Sequence, residues 1–206
     1  MGNRRRIHAL VLAGLLGAVV SVTAGQAAQA NYAGLFPNIP TAPGYLHWFS
    51  ADTGKCLDVA GQSTQAGAAV VEMFCRVATS QEWQPAVYDI RDHRTGSCMC
   101  EKVVVEYSNH NSGYCLAVAD LSGANSTPIV QLPCAAGDQR EYWEIDNSNI
   151  PYHYSDYQQT PSMFVNRADF ANGARKCIDV RVIVDQGPAQ AWDCDANAFH
   201  QAWYLF

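Results

Sequence analysis

The chain has 206 residues, 49% of them hydrophobic, and carries 13 Lys plus Arg against 19 Asp plus Glu, a net charge of −6. This acidic balance disfavours nucleic acid and anionic membrane as partners, because both attract cationic surfaces. The length past any leader suits one well-buried core and is short for two.

Residues 1–30 read as a secretory signal. Arg4, Arg5 and Arg6 precede an apolar run from Ala9 to about Val22, and Ala28-Gln29-Ala30 has the small-x-small form of a signal peptidase site. The run contains Gly14 and Gly17 and falls short of the ~20 residues a membrane span needs. The mature protein is therefore expected to be secreted and extracellular, without a membrane span, and to carry a net charge of −9. In an exported chain the eight cysteines favour disulfides over metal thiolates. There are no paired CxxC knuckles and no HExxH, so neither a metal nor another cofactor is expected.

Residues 31–44 hold Pro37, Pro40 and Pro43, a density that opposes helix and central strand, and they read as an N-terminal arm. From Tyr45 short strands alternate with turns. Tyr45–Phe49, Cys56–Ala60 and Ala69–Cys75 are strand-like, and a fourth strand lies within 81–90. The same order returns from Val103 and again from Met163. No amphipathic helix of useful length is visible.

A cysteine–cysteine–tryptophan pattern runs through these units: Cys56, Cys75 and Trp83; Cys115, Cys134 and Trp143; Cys177, Cys194 and Trp203. The tryptophans are 60 residues apart each time. Three units of about four strands are too few for a propeller and suit an all-β barrel with pseudo-threefold symmetry, which protects its own edges. Pairing within units gives three bridges, Cys56–Cys75, Cys115–Cys134 and Cys177–Cys194. Cys98 and Cys100 are then left over. A bridge between them is expected by elimination, although it would close a very small ring. A redox or metal role and intermolecular pairing stay open for them.

Stretches 85–102 and 145–162 exceed what a minimal unit needs. The second holds Tyr152, His153, Tyr154 and Tyr157. Its rings either form a recognition surface or pack the loop onto the barrel.

Each repeat tryptophan is expected in the shared core, its N–H bonded to one partner. The glutamine two positions earlier, Gln81 or Gln201, is expected on the same side of a strand and bonded to backbone. The middle unit departs, with Glu141 at this position.

With these Gln-x-Trp signatures, with Gly54-Lys55-Cys56-Leu57-Asp58-Val59 and with Gln190-Ala191-Trp192-Asp193-Cys194, the chain resembles the ricin B-type lectin domain family over residues 45–206. The resemblance implies a β-trefoil with lobes at approximately 45–102, 103–162 and 163–206. It also implies a shallow sugar site per lobe. In that family an aspartate follows the first cysteine by two, a glutamine precedes the second by four and an aromatic residue precedes it by two. An asparagine stands before the Gln-x-Trp glutamine.

By this pattern the third lobe matches best, with Asp179, Gln190 and Trp192; His200 replaces the asparagine and Asn197 is a nearby polar candidate. The chemistry stands without the family. A carboxylate accepts hydrogen bonds from adjacent sugar hydroxyls, an indole covers an apolar pyranose face and an amide fixes orientation. The competing reading is structural: Asp179 pairs with Arg175 or Arg181 and Trp192 packs the surface. The first lobe keeps Asp58 but has Val71, Met73 and Ser80 at the other positions. The second has Ala117, Val130 and Leu132 and reads as scaffold.

The leading expectation is a secreted, non-catalytic carbohydrate-binding protein for galactose-like or xylan-like glycans. The alternative is a secreted protein-interaction module, of inhibitor, adhesion or toxin-subunit type, with an extracellular protein partner. An enzyme is not expected. Asp179 with Asp193 or Asp195 could be imagined as a carboxylate pair, but glycoside hydrolysis needs them ~5–9 Å apart across a scissile bond, and the spacing does not favour that. No nucleophile elbow is present.

Overall fold

The computed structural model describes residues 43–92, 101–146 and 161–206. The signal, almost all of the N-terminal arm, the Cys98–Cys100 pair and the aromatic stretch around Tyr154 lie outside the described residues.

Thirteen strands are described: β1 (Trp48–Ser50), β2 (Cys56–Val59), β3 (Val70–Met73), β4 (Trp83–Asp92), β5 (Glu101–Asn109), β6 (Cys115–Val118), β7 (Thr127–Leu132), β8 (Trp143–Asp146), β9 (Met163–Asn166), β10 (Lys176–Asp179), β11 (Gly187–Pro188), β12 (Gln190–Asp193) and β13 (Trp203–Leu205). Helical backbone among the described residues is limited to short 3-10 turns.

The strands form a β-trefoil. β1, β4, β5, β8, β9 and β13 make the barrel. They are joined by β1–β13, β4–β5, β5–β8 and β8–β9 pairing and by the bridges Leu46–Trp83 and Ser162–Trp203. Three hairpins, β2–β3, β6–β7 and β10–β12, cap one end. They also hydrogen-bond to one another: β11 pairs with β3, β12 with β7, and Ala69 bridges Val130. Part of the first long stretch is therefore strand. β4 and β5 form one extended hairpin, with a register shift between Val87 and Asp89.

The core repeats threefold because each lobe sends equivalent residues inward. Trp48, Tyr107 and Phe164 come from β1, β5 and β9 and meet as an aromatic cluster. Trp48 and Phe164 have ring centroids 4.0 Å apart, and Trp48 meets Tyr107 edge-on at 4.7 Å. This triad was not singled out in the sequence, where its members are three different residue types. Around it lie Leu57, Leu116 and Ile178, then Val59, Val118 and Val180, then Trp83, Trp143 and Trp203, all buried. Alternation along β2, β6 and β10 turns these aliphatic residues inward and Cys56, Cys115 and Cys177 to the opposite face. There they bridge Cys75, Cys134 and Cys194, each with Cα atoms 5.0 Å apart. Closing loops of 17 and 19 residues contributes ~3 kcal/mol each in the chain-entropy account.

Each repeat indole makes the same hydrogen bond. Trp83 Nε1 donates to Leu57 O at 3.2 Å, Trp143 Nε1 to Leu116 O at 2.9 Å and Trp203 Nε1 to Ile178 O at 3.3 Å. Each ties a barrel strand to the capping hairpin of its own lobe, inside a core without water to replace a lost donor.

Polar staples join the lobes. Gln131, fully buried, donates to Ser63 O and Gln65 O of the first lobe, both at 2.9 Å. Its side chain thus bonds across the lobe boundary. Buried Lys176 of the third lobe donates to Asn125 Oδ1 of the second and to Asp193 Oδ1, both at 2.7 Å. The pKa of exposed Asp193 is thereby lowered from its ordinary value, by hydrogen bonds from Lys176 and then Asn125.

Trp143→Phe keeps a ring in the core but orphans the Leu116 carbonyl and leaves a void. The expected loss is about 2–3 kcal/mol of unfolding free energy in urea denaturation. A loss below about 0.5 kcal/mol would show that the indole tie does not hold the hairpin to the barrel.

Candidate functional site

The antiparallel register of β10 and β12 places Asp179 opposite Gln190 and Cys177 opposite Trp192. With a side-chain period of two, all four lie on the outward face of the third hairpin. Asp179 is fully buried, whereas Gln190 and Trp192 are half-buried. Gln190 Nε2 stands 3.5 Å from Asp179 Oδ1.

Asp179 is surrounded by donors. Gln201 Nε2 donates to Oδ2 at 2.8 Å. His200 Nδ1 lies 3.0 Å from Oδ2, at ion-pair distance but without hydrogen-bond alignment. Arg181 Nε lies 3.3 Å from Oδ1. The Arg181 guanidinium carbon stands 3.9 Å from the Trp192 ring centroid, a stacked cation–π contact of a kind that contributes ~0.5–1 kcal/mol at partly exposed positions. Sequence reading offered Arg175 and Arg181 as partners of Asp179. Arg181 takes that role, and Arg175 pairs instead with Asp146 at 3.1 Å. The stacking of Arg181 on Trp192 had no signal in the spacing.

Asn197 sits apart from these groups. Its backbone N–H bonds Asp195 Oδ1 at 2.9 Å, and its side chain turns to the same oxygen at 3.4 Å. It shapes the turn that leads into the Phe199–Gln201 3-10 turn.

That turn revises one expectation. Gln81 and Gln201 lie in 3-10 turns, Thr79–Gln81 and Phe199–Gln201, and not on a strand. Both are fully buried. Gln201 Nε2 bonds Asp193 O at 3.0 Å as well as Asp179, and its Oε1 accepts from Asp195 N at 2.9 Å. Gln81 repeats the pattern with Phe74 O at 3.1 Å, Asp58 Oδ2 at 2.9 Å and Arg76 N at 2.9 Å. The expected bond to backbone is present, and the site aspartate is a second partner that the sequence did not reveal.

In the first lobe Asp58 is fully buried, with Arg76 Nη2 2.8 Å from Oδ2. Val71 and Met73 stand at the other two positions, so no amide or ring faces it from β3. In the second lobe Ala117 faces Val130, and Cys115 faces Leu132. Without an aspartate to receive an amide, the glutamine position holds Glu141, whose Oε2 accepts from Ala135 N at 3.0 Å while Oε1 is buried without a partner. Burial pushes the Glu141 carboxyl above its ordinary value.

Among the described residues, Glu106, Cys115 and Cys134 bring possible metal-ligand atoms together. The cysteines are bridged to each other, so no thiolate is available to hold an ion.

Comparison with known proteins agrees with the fold. The family model described as the ricin-type beta-trefoil lectin domain matches residues 44–160. Among solved structures, the designed threefold-symmetric protein ThreeFoil is similar at 20% identity and a TM-score of 0.59, covering 79% of this chain and 97% of its own. The Rhizoctonia solani agglutinin is similar at 16% identity and 0.54, covering 81% and 96%. An exo-beta-1,3-galactanase from Clostridium thermocellum is similar at 25% identity and 0.56, over 81% of this chain and 30% of the galactanase. No curated protein matches.

Two stability outcomes follow. Asp179→Ala strips partners from the buried Gln201 amide and should cost about 1–3 kcal/mol in urea unfolding. Trp192→Ala, at a half-exposed ring, should cost less than about 1 kcal/mol. Equal costs would mean that Asp179 does not brace the fold.

Glu141→Gln tests the second lobe through pH. With its pKa raised, the folded state binds a proton more readily than the unfolded chain. The penalty is full at neutral pH and vanishes as pH falls through the raised value toward the ordinary 4.5. The variant should therefore be more stable by about 1 kcal/mol at neutral pH, and the gap should close on acidification. A gap that widens on acidification would contradict the assignment.

Proposed function

The chain belongs to the ricin-type β-trefoil lectin domain family, a carbohydrate-binding and non-catalytic class, and from that premise we propose that it is an exported lectin binding galactose-like or xylan-like glycans through its third lobe. The observation that carries this is the cross-strand placement of Asp179, Gln190 and Trp192 on one face. The first two lobes offer nothing equivalent at β3 and β7. The similar domain within a galactan-cleaving enzyme favours the galactose-like option. The composition of residues 1–30 supports export.

A shallow site of this kind, with a ring, an amide and a buried carboxylate, gives weak binding to a monosaccharide, because few contacts must offset the cost of ordering the ligand. Useful retention on a polysaccharide would come from repeated sugars or several copies of the protein.

One observation favours a second reading, a protein-interaction module. Phe74 (66% exposed), Ile183 (61%), Val182 and Val184 are exposed apolar residues near the junction of the first and third lobes, where Phe74 N lies 3.4 Å from Asp185 Oδ1.

A glycan array with the full mature chain distinguishes the two. Trp192→Ala and Gln190→Ala should each weaken glycan binding about tenfold or more, equivalent to ~1.4 kcal/mol, with folding intact. Absence of binding by the wild type, together with capture of a defined extracellular protein that Ile183→Asp abolishes, would replace the lectin reading with the second one.

A further inference from the structure

We propose that Arg181 makes the third-lobe site selective for acidic sugars, glycans carrying a carboxylate such as uronic acid residues. This deepens the lectin reading of the same site and rests on it.

The argument begins with what Arg181 occupies. Its guanidinium lies 3.9 Å over the Trp192 ring, the face on which a pyranose would stack. Its Nε stands 3.3 Å from Asp179 Oδ1, beside the carboxylate that would take the sugar hydroxyls. A neutral sugar that uses both groups must first displace the guanidinium from both. It would leave Asp179, fully buried, with one cation fewer beside it.

A carboxylate has a route that requires no displacement. The closest approach of Arg181 to Asp179 is through Nε. Among the described residues Nη1 and Nη2 make no hydrogen bond, and the side chain is 38% exposed. A guanidinium held at Nε and open at its two terminal nitrogens presents a planar fork, the geometry that receives a carboxylate through two parallel hydrogen bonds. The anion would dock on the fork while the Asp179 contact and the Trp192 stack stay in place. Asp179 already neutralises one unit of arginine charge, and His200 Nδ1 lies 3.0 Å from the same carboxylate without hydrogen-bond alignment. The two other carboxylates on this rim are engaged elsewhere, Asp193 with Lys176 and Asp195 with Asn197.

The backbone holds the fork in position. Val180 N bonds His200 O at 3.1 Å. After Arg181 the loop folds back on itself, with Val184 N on Val182 O at 2.8 Å and Gly187 N on Val184 O at 3.2 Å. A Cβ on Gly187 would collide with the Val182 carbonyl, so the loop closes only with glycine there. The first lobe gives a contrast. Arg76 also pairs with the site aspartate, but through Nη2, so one arm of its fork is taken by Asp58, and Met73 offers no ring beneath it.

The test is isothermal titration of the full mature chain with trigalacturonic acid and with neutral galactotriose, and with glucuronate-substituted and unsubstituted xylotriose. The wild type should bind the acidic member of at least one pair about tenfold more tightly, with an affinity that falls as salt rises. Arg181→Met should abolish that preference and improve neutral binding, because the Trp192 face is cleared. Arg181→Lys, which keeps the charge without the fork, should retain less than half of the logarithmic preference.

Wild-type binding of the neutral sugar equal to or tighter than the acidic one would overturn the proposal and leave the lectin reading standing. So would an acidic preference unchanged in Arg181→Met. Binding of none of the four sugars, with Trp192→Ala indistinguishable from wild type, would overturn both.

Discussion

The hydrogen bond from each repeat indole to the carbonyl of a hairpin strand is the interaction on which the other features depend. A tryptophan in a dry core must satisfy one N–H, and the carbonyl it meets must belong to something rigid. In each lobe that carbonyl belongs to the residue one after the first cysteine: Leu57, Leu116 or Ile178. The bond fixes the height and orientation of the hairpin above the barrel. Because the residue sits on a strand, fixing it also fixes its neighbours. The cysteine before it and the aspartate after it must point the other way. The disulfide and the outward face of the hairpin are thus positioned by a contact that belongs to the core.

This coupling explains why the glutamine and the aspartate change together. Gln81 and Gln201 each divide one amide between a backbone carbonyl and a carboxylate. Where the aspartate has become Ala117, the amide has lost one acceptor, and an acid stands in its place with one oxygen still unpartnered. A glutamine there would hold an orphan donor; a glutamate holds an orphan acceptor. Neither is free of cost, and the fold tolerates the choice because the indole tie of Trp143 is untouched. The aspartates of the first and third lobes brace the 3-10 turn ahead of the tryptophan, and on the proposed lectin reading Asp179 is also the polar floor of the site. Loss of binding on removing one of them reports on both roles at once, whereas the half-exposed Trp192 ring carries only the second.

Much of the fold was legible because its strongest constraints are local and repeated. The spacing of Cys56, Cys75 and Trp83, returning twice, set lobe number, bridge pattern and core tryptophans, since each of those depends on residues within one unit. The set of Asp179, Gln190 and Trp192 was legible through the resemblance to the lectin family, and strand periodicity accounts for their common outward face. Contacts made by long, flexible side chains were not. Arg181 reaches both the carboxylate and the indole by a side chain with several rotatable bonds, and the sequence fixes its starting point but not its end. Staples between lobes were hidden for a different reason. Gln131 and Lys176 meet partners roughly fifty to seventy residues away, brought close only by the closure of three hairpins. The aromatic triad of Trp48, Tyr107 and Phe164 escaped notice because its symmetry is one of position, filled by three side chains of different shape.

Alternation on the hairpins also accounts for how unequal lobes coexist in a symmetric frame. The inward positions that reach the shared core, Leu57 and Val59, Leu116 and Val118, and Ile178, are apolar in every lobe, because all three lobes meet at one axis and a polar group there would be buried beside the other two. Outward positions have no such common neighbour. Asp58, Ala117 and Asp179 never touch one another, and each answers only to its own turn and its own facing strand. A substitution outward is felt within one lobe, and a substitution inward is felt by three. The core therefore holds its threefold pattern while the outward face of each lobe is free to change alone, and an arginine can stand beside one outward aspartate, at position 181, from a place in the chain where neither other lobe supplies one.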